Sequence, residues 1–419
     1  MTAARRRPER AGRVCSRAKE DSLRIDRRGF LKAAAYAGGA AAAPAIAPRG
    51  LSLSEPRAYR ACVIGRTGRG GYGHGLDVAF QRISRVRVVA VADPDEKGRA
   101  EAARRAGAER AYADWREMLR AEKPDLVSIG PRWPVDRLEM VAAAAEIGAH
   151  VYMEKPIARD LVEADAIVDV AEKRGIRVAV AHQVREAPAI RCLERRIEEG
   201  LIGDVLELRT RGKEDHRAGG EDLMVLGTHC MYLLRAFAGP ASWCFARVTQ
   251  EGREVVAADR REATEPLGPV AGDSIHATYA FAGGVQGHFA SQKLRRGGQP
   301  NFQLSIHGSK GIVLVHIDQE PEIYWLPDPT WSPGKSGVSW RPLEGAPSSA
   351  DPTGLRDEEA ANKRAVEGLL RWIETGEESL VSIREGRAAL EMILAVYASH
   401  LSGARVALPL AERKHPLAG

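Results

Sequence analysis

The sequence predicts an α/β protein: a doubly wound parallel sheet, followed by an α+β domain with a large, mostly antiparallel sheet. Three observations carry this. From Ala58 to His182, short continuous apolar runs alternate with helical patterns, as expected where both faces of parallel strands are covered. Beyond His182 the strand-like runs are longer and alternate apolar with polar residues, the pattern of a sheet with one open face. The first apolar run ends in a glycine cluster, Gly65-Arg66-Thr67-Gly68-Arg69-Gly70-Gly71-Tyr72-Gly73-His74-Gly75, where glycines permit a tight turn and close approach of a ligand to the backbone.

In the first domain, placed at 58–182, the expected strands are Arg60–Ile64, Arg87–Ala92, Asp125–Ile129, His150–Met153 and Ile176–Ala181. Helical patterns at Leu76–Ile83, Glu96–Arg105, Trp115–Ala121, Asp136–Ile147 and Leu161–Arg174 separate them. Right-handed crossovers would place a ligand at the carboxyl ends of these strands. The second domain, 183–419, is expected to hold a helix at Ala189–Glu199, a strand at Val205–Arg211 and a helical stretch at Asp222–Phe237. Strands follow at Trp243–Gln250, Ser274–Phe281, Val285–Lys293, Phe302–His307 and Gly311–Ile317, with hairpin turns at Ala282-Gly283-Gly284 and Gly308-Ser309-Lys310. Pro327–Gly354 reads as a long loop, and helices at Glu358–Glu374 and Ile383–Leu401 are expected to pack back on the core. The open sheet face suits subunit packing in a homo-oligomer.

The net charge of +6 is misleading as a clue to partners. Residues 1–57 hold 13 Lys+Arg against 5 Asp+Glu, leaving 49 against 51 in 58–419. The basicity belongs to the leader, and the body has no general attraction to nucleic acid. Asp26-Arg27-Arg28-Gly29-Phe30-Leu31-Lys32 and the Ala-rich segment Ala33–Ala47 resemble a twin-arginine signal peptide, with Ala43-Pro44-Ala45 as the best cleavage site. Export to the periplasm is the expectation, with membrane contact only through an uncleaved leader. Five cysteines (Cys15, Cys62, Cys192, Cys230, Cys244) show no C-x-x-C pair and no zinc-like spacing. They read as buried free thiols, and no metal site is expected.

The glycine cluster matches G-x-G-x-x-G at Gly65 and Gly70, with Thr67 in the middle place and Gly68 and Arg69 between. Asp93 lies 23 residues beyond Gly70, at the end of the second strand, where a carboxylate can accept from an adenosine ribose and repel a 2′-phosphate. This favours NAD, although Arg66 and Arg69 keep NADP open. A dinucleotide-binding Rossmann sheet follows, with Gly65, Thr67, Gly68, Arg69, Gly70, Asp93 and Pro131 as cofactor contacts. Trp133 borders the same region or is packing.

The fifth strand ends Tyr152-Met153-Glu154-Lys155-Pro156. With this motif the chain resembles the glucose-fructose oxidoreductase/inositol dehydrogenase/MocA family, from Ala58 through Val406-Ala407-Leu408-Pro409-Leu410. The resemblance implies that Glu154, Lys155 and Pro156 lie at the cofactor, with Lys155 near the nicotinamide and Pro156 shaping the turn. A lysine there can bind a substrate hydroxyl and stabilise its developing oxyanion. In the family, Asp-x-x-x-His-x-x-Asp follows a glycine pair. Here Gly219-Gly220 is followed by Val225, His229 and Tyr232. His229 matches and would take the hydroxyl proton; Tyr232, one turn on, would orient it or bind substrate. Lys213, His216 and Asp222 are candidate sugar ligands, Asp222 as a substitute for the carboxylate absent at Val225.

The expected activity is an exported NAD(P)-dependent oxidoreductase that transfers a hydride between a sugar or polyol secondary hydroxyl and a tightly held cofactor. Two alternatives are an NAD-dependent glycosidase using transient oxidation and elimination, and a non-catalytic sugar-binding member of the family.

Overall fold

The computed structural model describes residues 57–293, 301–332, 334–345 and 357–418. The expected twin-arginine leader, Cys15, and Pro333 and 346–354 of the expected long loop lie outside the described residues. Residues Pro56–Gly419 form one compact unit that holds both sheets.

The first sheet is parallel, with order β3-β2-β1-β4-β5-β6. Its strands are β1 (Tyr59–Ile64), β2 (Val86–Ala92), β3 (Arg110–Tyr112), β4 (Leu126–Ile129), β5 (His150–Met153) and β6 (Val178–Val180). Between them run α1 (Glu96–Ala106), α2 (Trp115–Glu122), α3 (Arg137–Glu146) and α4 (Leu161–Arg174). Every residue of β4 is buried, as are Ala61–Ile64 and Val88–Ala92, which is why these strands read as continuous apolar runs. The short β3 (Arg-Ala-Tyr, no residue fully buried) carries no apolar signature and is not legible in the sequence.

One expected element is absent. Leu76–Ile83 forms a chain of turns, with Val78 N bonded to Gly75 O and Gln81 N to Val78 O. Gly73 and Gly75 stand at φ +61° and +71°, and Arg82 at +65°, so a right-handed helix cannot propagate through either end. Leu76, Ala79, Phe80 and Ile83 are nevertheless buried. The apolar spacing reported burial, not helix.

The chain continues through α5 (Pro188–Glu198), β7 (Val205–Arg211), α6 (Gly220–Val225) and α7 (Gly227–Ala238). The expected single helix over Asp222–Phe237 breaks at Leu226. Next come β8 (Trp243–Gln250), the two-residue strands β9 (Arg253–Glu254), β10 (Arg261–Glu262) and β11 (Pro269–Val270), then β12 (Ser274–Ala280) and β13 (Gln286–Gln292). They are followed by β14 (Gln303–Gly308), β15 (Gly311–His316), β16 (Glu322–Leu326), β17 (Arg341–Pro342), α8 (Asp357–Thr375), α9 (Ile383–Ser402) and β18 (Val406–Ala407). The second sheet has ten strands, ordered β17-β16-β15-β14-β7-β13-β12-β8-β18 with β9 beside β8. Only β7–β13 is parallel among these pairs. Alternate residues of β8 and β12 are buried, so one face is packed and the other open.

Among the described residues, no helix is long and apolar enough to cross a membrane. Cys62, Cys192, Cys230 and Cys244 are buried free thiols.

Candidate functional site

The site forms where β1, β4 and β5 end. The glycine cluster leaves β1 as a tight reversal: Arg66 and Gly71 exchange both backbone hydrogen bonds at 3.0 Å, leaving Thr67, Gly68 and Arg69 exposed at its tip. Each glycine has a local reason. A Cβ on Gly65 would stand 2.0 Å from the Tyr72 ring, and one on Gly70 would meet Arg132 N and Trp133 N below 3.0 Å. Gly70 (φ +86°) thus lets the cluster dock on the loop after β4. At Gly65 the close approach is made by the protein's own Tyr72 ring.

Asp93 is fully buried. Its Oδ2 accepts Thr67 N (2.9 Å) and Thr67 Oγ1 (2.7 Å), and its Oδ1 accepts Asp95 N (3.0 Å). The carboxylate expected to face a ribose is occupied in holding the turn, and the Thr67 hydroxyl is directed inward. Trp133 and Pro131 line a narrow crevice with Arg66 and Arg69.

At the end of β5, Arg137 fastens two loops. Fully buried, it donates to the carbonyls of Glu154 (2.7 Å), Pro131 (2.5 Å) and Pro156. Burial lowers its pKa to about 10 against the pull of Glu154 and Glu163. The Lys155–Pro156 bond is cis. Glu154 Oε1 accepts both His74 N (2.7 Å) and the His74 ring at Nδ1 (2.6 Å), and Oε2 accepts Lys155 N at 2.9 Å. Burial opposes ionisation of Glu154, but His74 and Lys155 prevail and hold its pKa at about 2.

The second domain supplies the facing wall. Lys155 Nζ donates to Val225 O at 3.0 Å, and burial lowers its pKa. Lys155, His74, His229, Gln183, Lys213 and Asn301 line a polar cavity of about 880 Å³, with Asp318, Glu322 and Asp357 farther along it. His229 stands edge-on to His182 (5.4 Å between centroids). Burial, Lys155 and His182 push its pKa well below 6.5.

Three expected site residues lie elsewhere. Tyr232 is buried, stacks on His182 at 4.3 Å and donates its hydroxyl to Leu380 O at 2.7 Å, because a residue three positions after His229 turns to the helix's packed side. Asp222 is fully buried; its carboxylate accepts Ser291 Oγ (2.6 Å), Glu214 N (3.1 Å) and Lys213 N (3.2 Å). It shapes the Lys213 loop and does not reach the cavity. His216 is 77% exposed beside Asp215. Sequence reasoning also passed over residues that build the site: His74, Arg137, His182 and Asn362. Only His74, a histidine inside the glycine cluster, left a readable signal.

Fold and cavity define a two-domain protein with a polar cleft between the strand ends of a Rossmann sheet and a broad antiparallel sheet. Residues 59–182 match the oxidoreductase family model described as an NAD-binding Rossmann fold, and 195–408 match the same family's C-terminal alpha/beta domain. The chain belongs to this glucose-fructose oxidoreductase/inositol dehydrogenase/MocA family of oxidoreductases. It is 29% identical over 262 residues to levoglucosan dehydrogenase of Pseudarthrobacter phenanthrenivorans, covering 57% of this chain and 66% of that enzyme. It is 27% identical over 228 residues to a glycosyl hydrolase family 109 protein of Shewanella amazonensis, covering 47% and 49%. The fold resembles the structure of levoglucosan dehydrogenase in complex with NADH and levoglucosan, with a TM-score of 0.68 and 23% identity over 84% of this chain and 100% of that one.

The cleft offers two different polar ends. The cavity with Lys155, His74 and His229 suits a nicotinamide beside a polyhydroxyl substrate, and the exposed tip Thr67–Arg69 suits phosphates. Among the described residues, no group of three or more His, Cys, Asp or Glu could hold a metal ion.

Proposed function

We propose that this chain oxidises a secondary hydroxyl of a sugar or polyol, with NAD as hydride acceptor and NADP as a possible substitute. The observation that carries this is Lys155, just after β5, lining the same polar cavity as His229 on α7. NAD, when bound, supplies the two-electron acceptor; Thr67, Gly68, Arg69 and Gly70 would hold its phosphates, and Pro131, Glu154 and Pro156 would border it. Lys155 binds the reacting oxygen and stabilises its developing negative charge. His229, its pKa lowered by burial and by Lys155, serves as a hydrogen-bond partner that orients the sugar. Lys213 and Gln183 supply further polar contacts along the cavity.

The test is a panel of sugars and polyols, with purified protein and NAD, read by the absorbance of the reduced nicotinamide. Growth with at least one sugar supports the reading; none with any sugar, in either direction, sinks it. The likeness to a glycosyl hydrolase family 109 protein favours a second reading, transient oxidation with elimination of a glycosidic substituent. Release of that substituent without net reduced cofactor would select it.

The leader motif supports export by the twin-arginine route with cofactor already held, followed by a closed cycle in which one sugar reduces what another oxidises. The open face of the second sheet, where Phe245 is 50% exposed beside a groove of about 720 Å³, supports assembly through that face. Phe245→Asp should lower the mass in solution if it does.

A further inference from the structure

We propose that His74, held by Glu154, is the base that takes the proton of the substrate hydroxyl. This rests on the dehydrogenase reading and names the group that reading still lacks.

The geometry is that of an imidazole oriented by a buried carboxylate. Glu154 is fully buried and, ionised, can only accept hydrogen bonds. Its Oε1 lies 2.6 Å from His74 Nδ1, so Nδ1 is the donor, and in the neutral ring Nε2 carries the lone pair. Nε2 has no hydrogen bond among the described residues, and the side chain is 36% exposed. The ring lines both the main cavity, with Lys155 and His229, and a narrow extension of about 90 Å³ that runs to Arg132 and Arg217.

Three elements hold this residue. A Cβ on Gly73 would stand 2.3 Å from Glu154 Oε1, so only glycine lets the carboxylate come so close to the preceding backbone. From α8, Asn362 Nδ2 donates to His74 O at 2.7 Å. The other side of that amide, Oδ1, accepts Tyr152 Oη (2.7 Å) and Gln183 Nε2 (2.8 Å). Strand β5, the glycine cluster and a C-terminal helix therefore converge on one histidine. Such convergence is what a proton-transfer group requires and an incidental surface histidine lacks.

The other groups near the cavity are less suited. Next to His229 stand Lys155 and His182, and no carboxylate is hydrogen-bonded to its ring among the described residues. Tyr232 is buried with its hydroxyl committed. Lys155 already donates to Val225 O. In the step, the O–H bond breaks and its proton passes to His74 Nε2. The O–H pair forms the carbonyl as the C–H pair leaves as hydride to the nicotinamide. The new imidazolium faces the Glu154 carboxylate.

Two measurements test this. In steady state, His74→Asn should lower kcat by about 100-fold or more with KM little changed, and should remove the acid limb of the pH profile. His74→Gln guards against a folding artefact, and Glu154→Gln, a positioning change, should lower kcat while leaving KM. A His74→Asn enzyme with kcat within about threefold and an unaltered profile overturns the proposal. Separately, histidine-labelled full-length chain without cofactor should show His74 as the Nδ1–H tautomer in nuclear magnetic resonance, with that preference lost in Glu154→Gln. An Nε2–H tautomer overturns the proposal whether or not a sugar is found. If wild-type protein turns over no sugar, the dehydrogenase reading fails on its own count and the tautomer still decides the placement of the proton.

Discussion

The Lys155 ammonium is held 3.0 Å from the backbone carbonyl of Val225. A backbone carbonyl, not a carboxylate, is the lysine's anchor. The lysine keeps its orientation, but no negative charge from residue 225 balances it. Burial therefore acts on the ammonium with only the more distant Glu154 and Glu265 opposing.

Lys155→Met removes the group that binds the reacting oxygen while filling much of its volume. We expect kcat to fall by about 100-fold or more, with NAD affinity changed by less than about threefold, since the lysine acts at the reacting carbon. Turnover and cofactor titration of the same preparation check both halves. Near-normal turnover would remove Lys155 from the reaction.

Tyr232→Phe separates the sequence expectation from the structure. Its hydroxyl bonds Leu380 O and not the cavity, so the variant should lose ~1 kcal/mol of stability and keep kcat within about twofold. Chemical denaturation and initial rates measure this. A large loss of kcat without loss of stability would return Tyr232 to the site.

Gly73→Ala and Gly68→Ala differ only in surroundings, since both positions have positive φ. At Gly68 a Cβ meets nothing within 4 Å, whereas at Gly73 it overlaps Glu154 and Gly130 O. The first should cost ~1 kcal/mol from backbone strain, and the second ~3 kcal/mol or more with loss of turnover. Midpoints of denaturation compare them, and equal midpoints would contradict the packing described.

Stability should fall with pH below neutrality. His182 is buried, and burial together with Lys155 lowers its pKa from 6.5 to about 3. The unfolded chain therefore binds a proton below pH 6.5 that the folded protein refuses. The contribution is full above pH 6.5 and is lost as pH falls toward 3, roughly 2 kcal/mol of it by pH 5. His150 and His415, pushed down to about 4 by burial, act in the same direction. Melting temperatures taken from pH 7 to pH 5 should decline, and His182→Gln should flatten that slope. An unchanged slope would mean that His182 does not remain neutral in the fold.

What the sequence determined by itself is the strand–helix alternation of the first domain apart from Leu76–Ile83 and β3, the change from continuous to alternating strands at His182, and the motif Glu154-Lys155-Pro156. These are local or periodic properties, written in neighbouring residues, and they sufficed for the fold class and for Lys155 and His229 in one cleft. The tertiary structure decided what a side chain does once a partner arrives from far along the chain. Asp93 was available to a ribose until Thr67 folded over it, and Asp222 was a candidate ligand until Ser291 and the Lys213 loop enclosed it. His74 gained its role in the same way, from Glu154 80 residues on and Asn362 288 residues on. Hydrogen bonds of buried groups are set by whatever surface closes on them, and spacing along the chain carries no record of that closure.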